Sequence, residues 1–207
     1  MTTIAIIPAR SGSKRLPNKN FKDFRNGKSL VELAVEQAQQ AGLEVIVTTD
    51  APNRLRVPIC VRRPDHLATD KSRVEDAAIH AVLSMDIEYA SALAEREAGV
   101  YPRWDTVVLL QPTSPLRDPA DILACLDVYE GSPVFTVSED ATERPNGAVY
   151  VCSLEHLLED GAFADPAATM VTMAAERSVD IDTQEDWDLG YERTSYVQPL
   201  AFRVDIE

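Results

Sequence analysis

The sequence predicts a three-layer α/β domain built on a largely parallel sheet. Continuous β-branched runs at Ile4–Ile7, in "EVIVTTD" (Glu44–Asp50) and in "DTVVLL" (Asp105–Leu110) read as strands buried on both faces. Segments of helical periodicity alternate with them. The first strand, helix and second strand fit within about fifty residues, a βαβ unit whose strands run parallel. At 207 residues the chain suits one domain, 1–207, with enough length to bury a full core.

After the first strand and a basic loop comes "SLVELAVEQAQQAG". Ser29 and Glu32 form a capping box there, Leu30, Leu33 and Ala34 begin an apolar face, and Gly42 supplies the stop. "VPICV" (Val57–Val61) is a candidate third strand. Ser72 with Glu75 is a second capping box, opening a helix through Met85, and an Ala- and Glu-rich pattern runs on to Gly99. After the strand at Asp105–Leu110, the prolines of "QPTSPLRDP" are expected to keep the chain extended. A helix then starts with Asp118 as N-cap and Pro119 at its first position. "PVFTVSE" and "GAVYVCS" are further strands, separated by about eight residues that read as a plain loop. "TMVTM" is a strand, "RSVDID" a strand or loop, and a last helix begins near Thr183. In such a sheet ligands bind at the carboxyl ends of strands, where the basic loop, "TTD", "LLQPTSP" and "GAVYV" all fall.

The formal net charge of −14 argues against nucleic acid or an anionic membrane surface as the main partner. The distribution is more telling. Residues 10–28 hold seven Lys and Arg (Arg10, Lys14, Arg15, Lys19, Lys22, Arg25, Lys28) against one acid, Asp23, leaving 13 basic and 33 acidic residues elsewhere. Charge alone leaves two readings open, a cradle for a small polyanion and a solvated basic loop. Cys60, Cys125 and Cys152 form no C-x-x-C pair, which fits a reducing compartment. The opening apolar run ends at Pro8 and Arg10, too short for a signal peptide, and no stretch approaches the ~20 apolar residues of a membrane span. The expected location is cytoplasmic.

"PARSGSKRLPNKN" is neither a Walker A loop nor G-x-G-x-x-G. Gly12 between Ser11 and Ser13 nevertheless lets backbone N–H groups approach phosphate oxygens, and Arg10 and Lys19 bracket the loop with charge. "VDIDT" sets Asp180 and Asp182 two residues apart, which in extended backbone points both carboxylates to one side, roughly 6–7 Å apart. Such a pair can share a Mg²⁺ that completes its shell with water and phosphate; an ordinary acidic turn has the same sequence. His66, His80 and His156 are dispersed without ligand spacing, and Ser114 belongs to no recognisable hydrolase triad.

Five blocks, "IAIIPARSGSKRLPNKN", "RRPDHLATD", "LLQPTSPLR", "RPNGAVYV" and "SVDIDT", stand in the order seen in the acylneuraminate cytidylyltransferases, the CMP-sialic acid synthetases. The chain resembles that family across nearly its whole length, and its loop looks like the sialic-acid branch rather than the Kdo branch. The resemblance implies a Rossmann-like nucleotidyltransferase fold, and a Mg²⁺-dependent reaction of CTP with a 2-keto sugar acid to give a CMP-sugar and pyrophosphate. It assigns Arg10, Ser13, Lys14 and Lys19 to the triphosphate, Asn20 to the nucleotide and Arg63 to the base. Gln111, Arg144, Asn146 and Tyr150 fall on the sugar side, Asp180 and Asp182 on the metal, and Arg10, Lys19 and Asp182 form the catalytic set.

Departures from the pattern are Ser11 where glycine is frequent, "KSRVED" after Asp70, and only 28 residues between Arg117 and Asn146. Relatives carry a longer dimerisation arm in that last interval. Here the arm is expected to be shortened or absent, and the protein a monomer or a dimer without arm exchange. A nucleotidyltransferase for another acidic acceptor, or a nucleotide-binding protein that has lost turnover, are the alternative readings.

Overall fold

Alternation along β1 (Thr3–Pro8) sets the layers. In the computed structural model, which describes residues 2–57, 59–85 and 104–194, Ala5 and Ile7 enter one apolar cluster and Ile4 and Ile6 another on the opposite face. Both faces of the strand are therefore covered, as its continuous β-branched run requires.

The main sheet has the order β5 (Cys60–Arg62), β4 (Glu44–Thr49), β1, β6 (Thr106–Leu109), β8 (Ala141–Ser153), β7 (Val134–Ser138), β9 (Thr169–Met173). Within it only β8 runs against its neighbours; the β1–β4, β1–β6, β4–β5 and β7–β9 pairs are parallel. The chain winds outward from β1 through β4 to β5, then returns to β6 on the other side of β1. Strand order thus reverses between β1 and β6, and the loops leaving their carboxyl ends part to open a crevice.

The helices are α1 (Leu30–Gln40), α2 (Val74–Met85), α3 (Pro119–Asp127), α4 (Leu154–Glu159) and α5 (Gln184–Arg193). Val31, Ala34, Val35 and Ala38 of α1, with Ile122 and Cys125 of α3, cover one face. Ala78, Ala81 and Val82 of α2, with Leu154 and Leu157 of α4, cover the other. Ser29–Glu32, Asp118–Asp121 and Thr183–Asp186 are complete capping boxes opening α1, α3 and α5. A third apolar cluster of Leu16, Phe24, Leu30, Leu116, Val179, Ile181 and Trp187 ties the basic loop to the "VDID" segment, with Phe24 edge-on to Trp187 at 4.9 Å. This small core holds the two aspartates against the cationic loop.

The structure departs from the sequence reading in several places. The third strand begins only at Cys60, because β4 offers partners from Val47 to Thr49. Ser72 does not cap α2: its hydroxyl donates to the His66 carbonyl at 2.8 Å and accepts from Thr69 N, closing a turn, and the helix starts at Val74. The segment 111–118 is not extended but folds as two turns, Ser114 N to Gln111 O and Arg117 N to Ser114 O. The expected loop before "NGAVYV" is mostly strand: Glu139 and Asp140 make a tight connection, and β8 begins at Ala141. "RSVDID" is loop. Within the basic segment, β2 (Asp23–Arg25) and β3 (Lys28–Ser29) form an unanticipated hairpin. Asn26 and Gly27, at φ 53° and 75°, turn it, the Asn-Gly signature of a type I′ turn. The pattern from Asp86 to Gly99 lies outside the described residues.

Candidate active site

The basic loop is fastened from beneath. Ala9 N donates to Thr48 O at 2.9 Å, and Ser11 donates from N and Oγ to the two carboxylate oxygens of Asp50 at 2.8 and 2.5 Å. Asn20 Nδ2 closes the far end onto Arg10 O at 3.1 Å. Burial opposes ionisation of Asp50, but the Ser11 bonds and the Arg63 charge outweigh it and hold the carboxyl below its usual value. A serine at position 11 therefore has a specific use: its hydroxyl anchors the loop to Asp50, the residue after β4.

Above this loop lies a cavity of about 610 Å³, lined by six cationic side chains (Arg10, Lys14, Arg15, Lys19, Arg63, Arg73) and three acids (Asp70, Asp180, Asp182). The cavity is net positive in a chain of net charge −14. All six residues assigned to the nucleotide, Arg10, Ser13, Lys14, Lys19, Asn20 and Arg63, line it. Of the seven basic residues in 10–28, Lys22 instead lies 4.8 Å over the Trp187 ring and Lys28 pairs with Glu36 at 2.7 Å.

The cations are held ready by internal acids. Asp70 bridges Arg10, at 2.5 Å, and Lys14. Lys19 donates to Ile181 O at 2.5 Å and to Asp182 Oδ1 at 2.7 Å, while Arg15 reaches Asp182 Oδ2 at 3.0 Å. Arg63 is buried, donates to Thr48 O at 2.9 Å, and is pulled down to about 10 by burial, partly offset by Asp50 and reinforced by Arg10. It remains charged at neutral pH.

A second cavity of about 580 Å³ contains all four sugar-side residues, Gln111, Arg144, Asn146 and Tyr150. Gln111 and Asp180 line both cavities. Tyr150 is pushed up to about 12, first by burial and then by Asp180 and Glu75, so its phenol stays a neutral donor. Asn146 is placed at this cavity, yet its amide is committed to the protein. Its Oδ1 accepts from Thr136 Oγ1 and Ala148 N, and its Nδ2 donates to Ser178 Oγ at 3.1 Å. It shapes the turn at Gly147, whose φ of 84° leaves Gln111 Oε1 3.7 Å from where a Cβ would sit.

The cytidylyltransferase sequence profile matches residues 4–146. The chain belongs to the cytidylyltransferase family. It is 28% identical over 232 residues to a CMP-N,N'-diacetyllegionaminic acid synthase of Legionella pneumophila, covering 91% of this chain and 94% of that one. It is 29% identical over 229 residues to an N-acylneuraminate cytidylyltransferase of Escherichia coli, covering 90% of this chain but 51% of the relative, so it spans about half that protein's length. In fold it is similar to a CMP:2-keto-3-deoxy-manno-octonic acid synthetase solved with CTP, at TM-score 0.68 and 17% identity over 95% of this chain and 99% of that one.

For this cytidylyltransferase the metal reading has a physical test in the aspartates themselves. Asp180 retains accessible surface, yet protein atoms crowd its carboxyl as in a half-buried group. Asp180 lines both cavities. Its pKa is raised, chiefly by this desolvation and also by Asp182, against a hydrogen bond from Thr113 and the Lys19 charge. Two hard oxygen donors facing one cavity, one of them unfavourably ionised, fit Mg²⁺, which keeps several waters and takes phosphate oxygens for the rest. Among the described residues no cluster of three or more His, Cys, Asp or Glu forms a metal site, and this mode of binding does not need one.

Sequence reasoning missed Asp50 and Asp70, whose only signal is their place after a strand and inside "RRPDHLATD". It also missed that Arg193 lines the second cavity and that Arg117 is buried beneath the turn of Gln111. A prediction separates the two halves of the basic segment. Arg10→Ala weakens CTP binding by about tenfold, about 1.4 kcal/mol, with the fold unchanged, whereas Lys22→Ala and Lys28→Ala stay within about twofold, since exposed pairs of this kind contribute little. Calorimetric titration with CTP checks it; equal effects at all three positions contradict the assignment.

Proposed function

We propose that this protein activates a 2-keto sugar acid of the sialic acid type with CTP, giving a CMP-sugar and pyrophosphate. The observation that carries the reading is the pair of cavities meeting at Gln111 and Asp180, one net cationic and one of mixed lining, with two arginines, three aspartates and neutral polar groups. The names of the two curated relatives support the substrate class.

In this reading Arg10, Lys14 and Lys19 take the triphosphate and neutralise the charge that builds on the departing pyrophosphate. The anomeric hydroxyl of the acceptor attacks the α-phosphorus; the new P–O bond forms as the bond to the β-phosphate bridging oxygen breaks, and the hydroxyl proton passes to water. The chain's part is alignment, with Gln111 and Tyr150 orienting the sugar across the boundary. Asp180 and Asp182 would hold Mg²⁺, whose charge lowers the barrier at phosphorus when bound.

Pyrophosphate release from CTP, measured with a panel of nine-carbon and eight-carbon 2-keto sugar acids, tests the reading. It predicts release in step with a CMP-sugar, fastest with a sialic-type acid. Release with none of them, while CTP still binds, would leave a nucleotide-binding protein.

The short interval between Arg117 and Asn146 supports a proposal about assembly. Residues 134–153 are occupied as a hairpin within the sheet of their own chain, β7 paired to β8 and β8 to β6. Little backbone is left to cross to a neighbour. Light scattering is expected to give a monomer, or a dimer whose interface excludes residues 130–146; a dimer with that segment inside the partner's active site contradicts it. The location is proposed as cytoplasmic, consistent with three free cysteines.

A further inference from the structure

The two cavities treat their cations differently. In the first, four of the six cations, Arg10, Lys14, Arg15 and Lys19, are ion-paired to Asp70 or Asp182. In the second, neither Arg144 nor Arg193 pairs with a carboxylate among the described residues. The cavity's own acids are engaged elsewhere. Asp140 accepts from Ser138 Oγ at 2.5 Å, and Asp186 accepts from Thr183 N, Thr183 Oγ1 and Asp182 N to cap α5. Asp180 belongs to the boundary with the phosphate side.

Arg193 is the last residue of α5 and is anchored by one nitrogen. Its Nη1 donates to Ala175 O at 3.1 Å and to Glu176 O at 3.4 Å, both on the segment leading to Ser178 and Asp180. Among the described residues these are its hydrogen bonds, so the Nε–Nη2 edge is left for a ligand. That edge is the pair of parallel donors with which a guanidinium takes a carboxylate in bidentate fashion. A half-buried arginine held at one end and open at the other is oriented before any ligand arrives, which reduces the side-chain entropy lost on binding.

We propose that Arg193, together with Arg144, is the receptor for the acceptor's carboxylate, supplied from within the same chain. This rests on the sugar-acid reading of the second cavity and adds to it the group that distinguishes an acid from a neutral sugar. Arg144 approaches from β8 and Arg193 from α5, so the two bring positive charge to the cavity from different elements.

The test is equilibrium binding of N-acetylneuraminate and of its methyl ester to the full chain, wild type, Arg193→Gln and Arg193→Lys, each saturated with CTP in metal-free buffer. Wild type should prefer the acid to the ester. Arg193→Gln should weaken the acid at least tenfold, leave the ester unchanged, and leave CTP binding within twofold; Arg193→Lys should recover part of the acid's affinity. Thermal melts establish that each variant is folded. Acid binding within twofold of wild type in Arg193→Gln overturns the proposal. So does an equal loss for acid and ester, the mark of a merely structural anchor on Ala175 and Glu176, or a wild type that does not distinguish them. Pyrophosphate release is read separately. A wild type that binds the acid through Arg193 but releases none keeps the receptor and refutes the reaction.

Discussion

Asp182→Asn is expected to lower kcat at least 100-fold at saturating Mg²⁺, about 2.7 kcal/mol of barrier. Asp182 stands where three demands converge: it receives Lys19 and Arg15, lines the cationic cavity, and lies two residues from the crowded Asp180. The amide keeps one acceptor for Lys19, and Lys19 retains its bond to Ile181 O, so the fold and the cation stay in place. What is lost is one negative oxygen donor for a divalent ion. The kinetic signature therefore separates roles. Turnover falls, chelation of metal stops the wild type as well, and CTP affinity without metal stays within about threefold. Turnover within threefold of wild type would remove Asp182 from the metal assignment.

Replacing Arg117 by leucine is expected to cost about 3 kcal/mol of stability or more. Arg117 is 2% exposed, yet it carries a charge in the middle of the domain. Its Nη1 donates to Ala148 O at 2.5 Å and, at 3.4 Å, to Gln111 O; its Nη2 donates to Gln37 Oε1 at 2.9 Å. Gln37 in turn donates to Pro115 O and Arg117 O. One side chain thereby joins α1, the turns after β6, and β8. Burial pulls the guanidinium down to about 9, with Asp121 opposing, so it is still charged at neutral pH. Leucine fills much of the volume but removes the donor to the Ala148 carbonyl and to the Gln37 amide oxygen in a dry site, while the Gln111 carbonyl keeps Ser114 N. Urea unfolding measures the effect. A loss under about 1 kcal/mol would mean that water or neighbours replace the arginine, and that the turn bearing Gln111 does not depend on it.

These two residues also mark what the sequence could disclose. That Asp182 shares a cavity with Asp180 was legible because "VDIDT" puts two like charges on one side of an extended segment, a local pattern with a local meaning. Arg117 was not, since within "LLQPTSPLR" it looks like any loop arginine; its partners are 31 and 80 residues away in sequence. The same contrast runs through the fold. β1, β4 and β6 announced themselves as apolar runs, and the caps at Ser29, Asp118 and Thr183 worked from side chains three residues apart. Ser72 had the same signature but lost to a turn in which His66 and Thr69 claimed its hydroxyl. β8 was read as starting at Gly147 because its first residues are polar; they are strand only because β7 lies alongside. In the site, the cationic residues were visible by their density, while Arg193 gave no local sign. The role proposed for it depends on the bonds from the end of α5 to Ala175 and Glu176.

The central claim is that triphosphate and acceptor occupy two cavities that meet at Gln111 and Asp180. A crystal structure of the protein with CTP, a divalent cation and a 2-keto sugar acid tests it most directly. The account predicts triphosphate oxygens on Arg10, Lys14 and Lys19, with Asp70 displaced from at least one of its two cations. It places the metal on Asp180 and Asp182, and the sugar acid between Tyr150 and Arg193 with its anomeric hydroxyl facing the α-phosphorus. A triphosphate bound away from the basic loop, or an acceptor outside the cavity of Arg144 and Arg193, would contradict it.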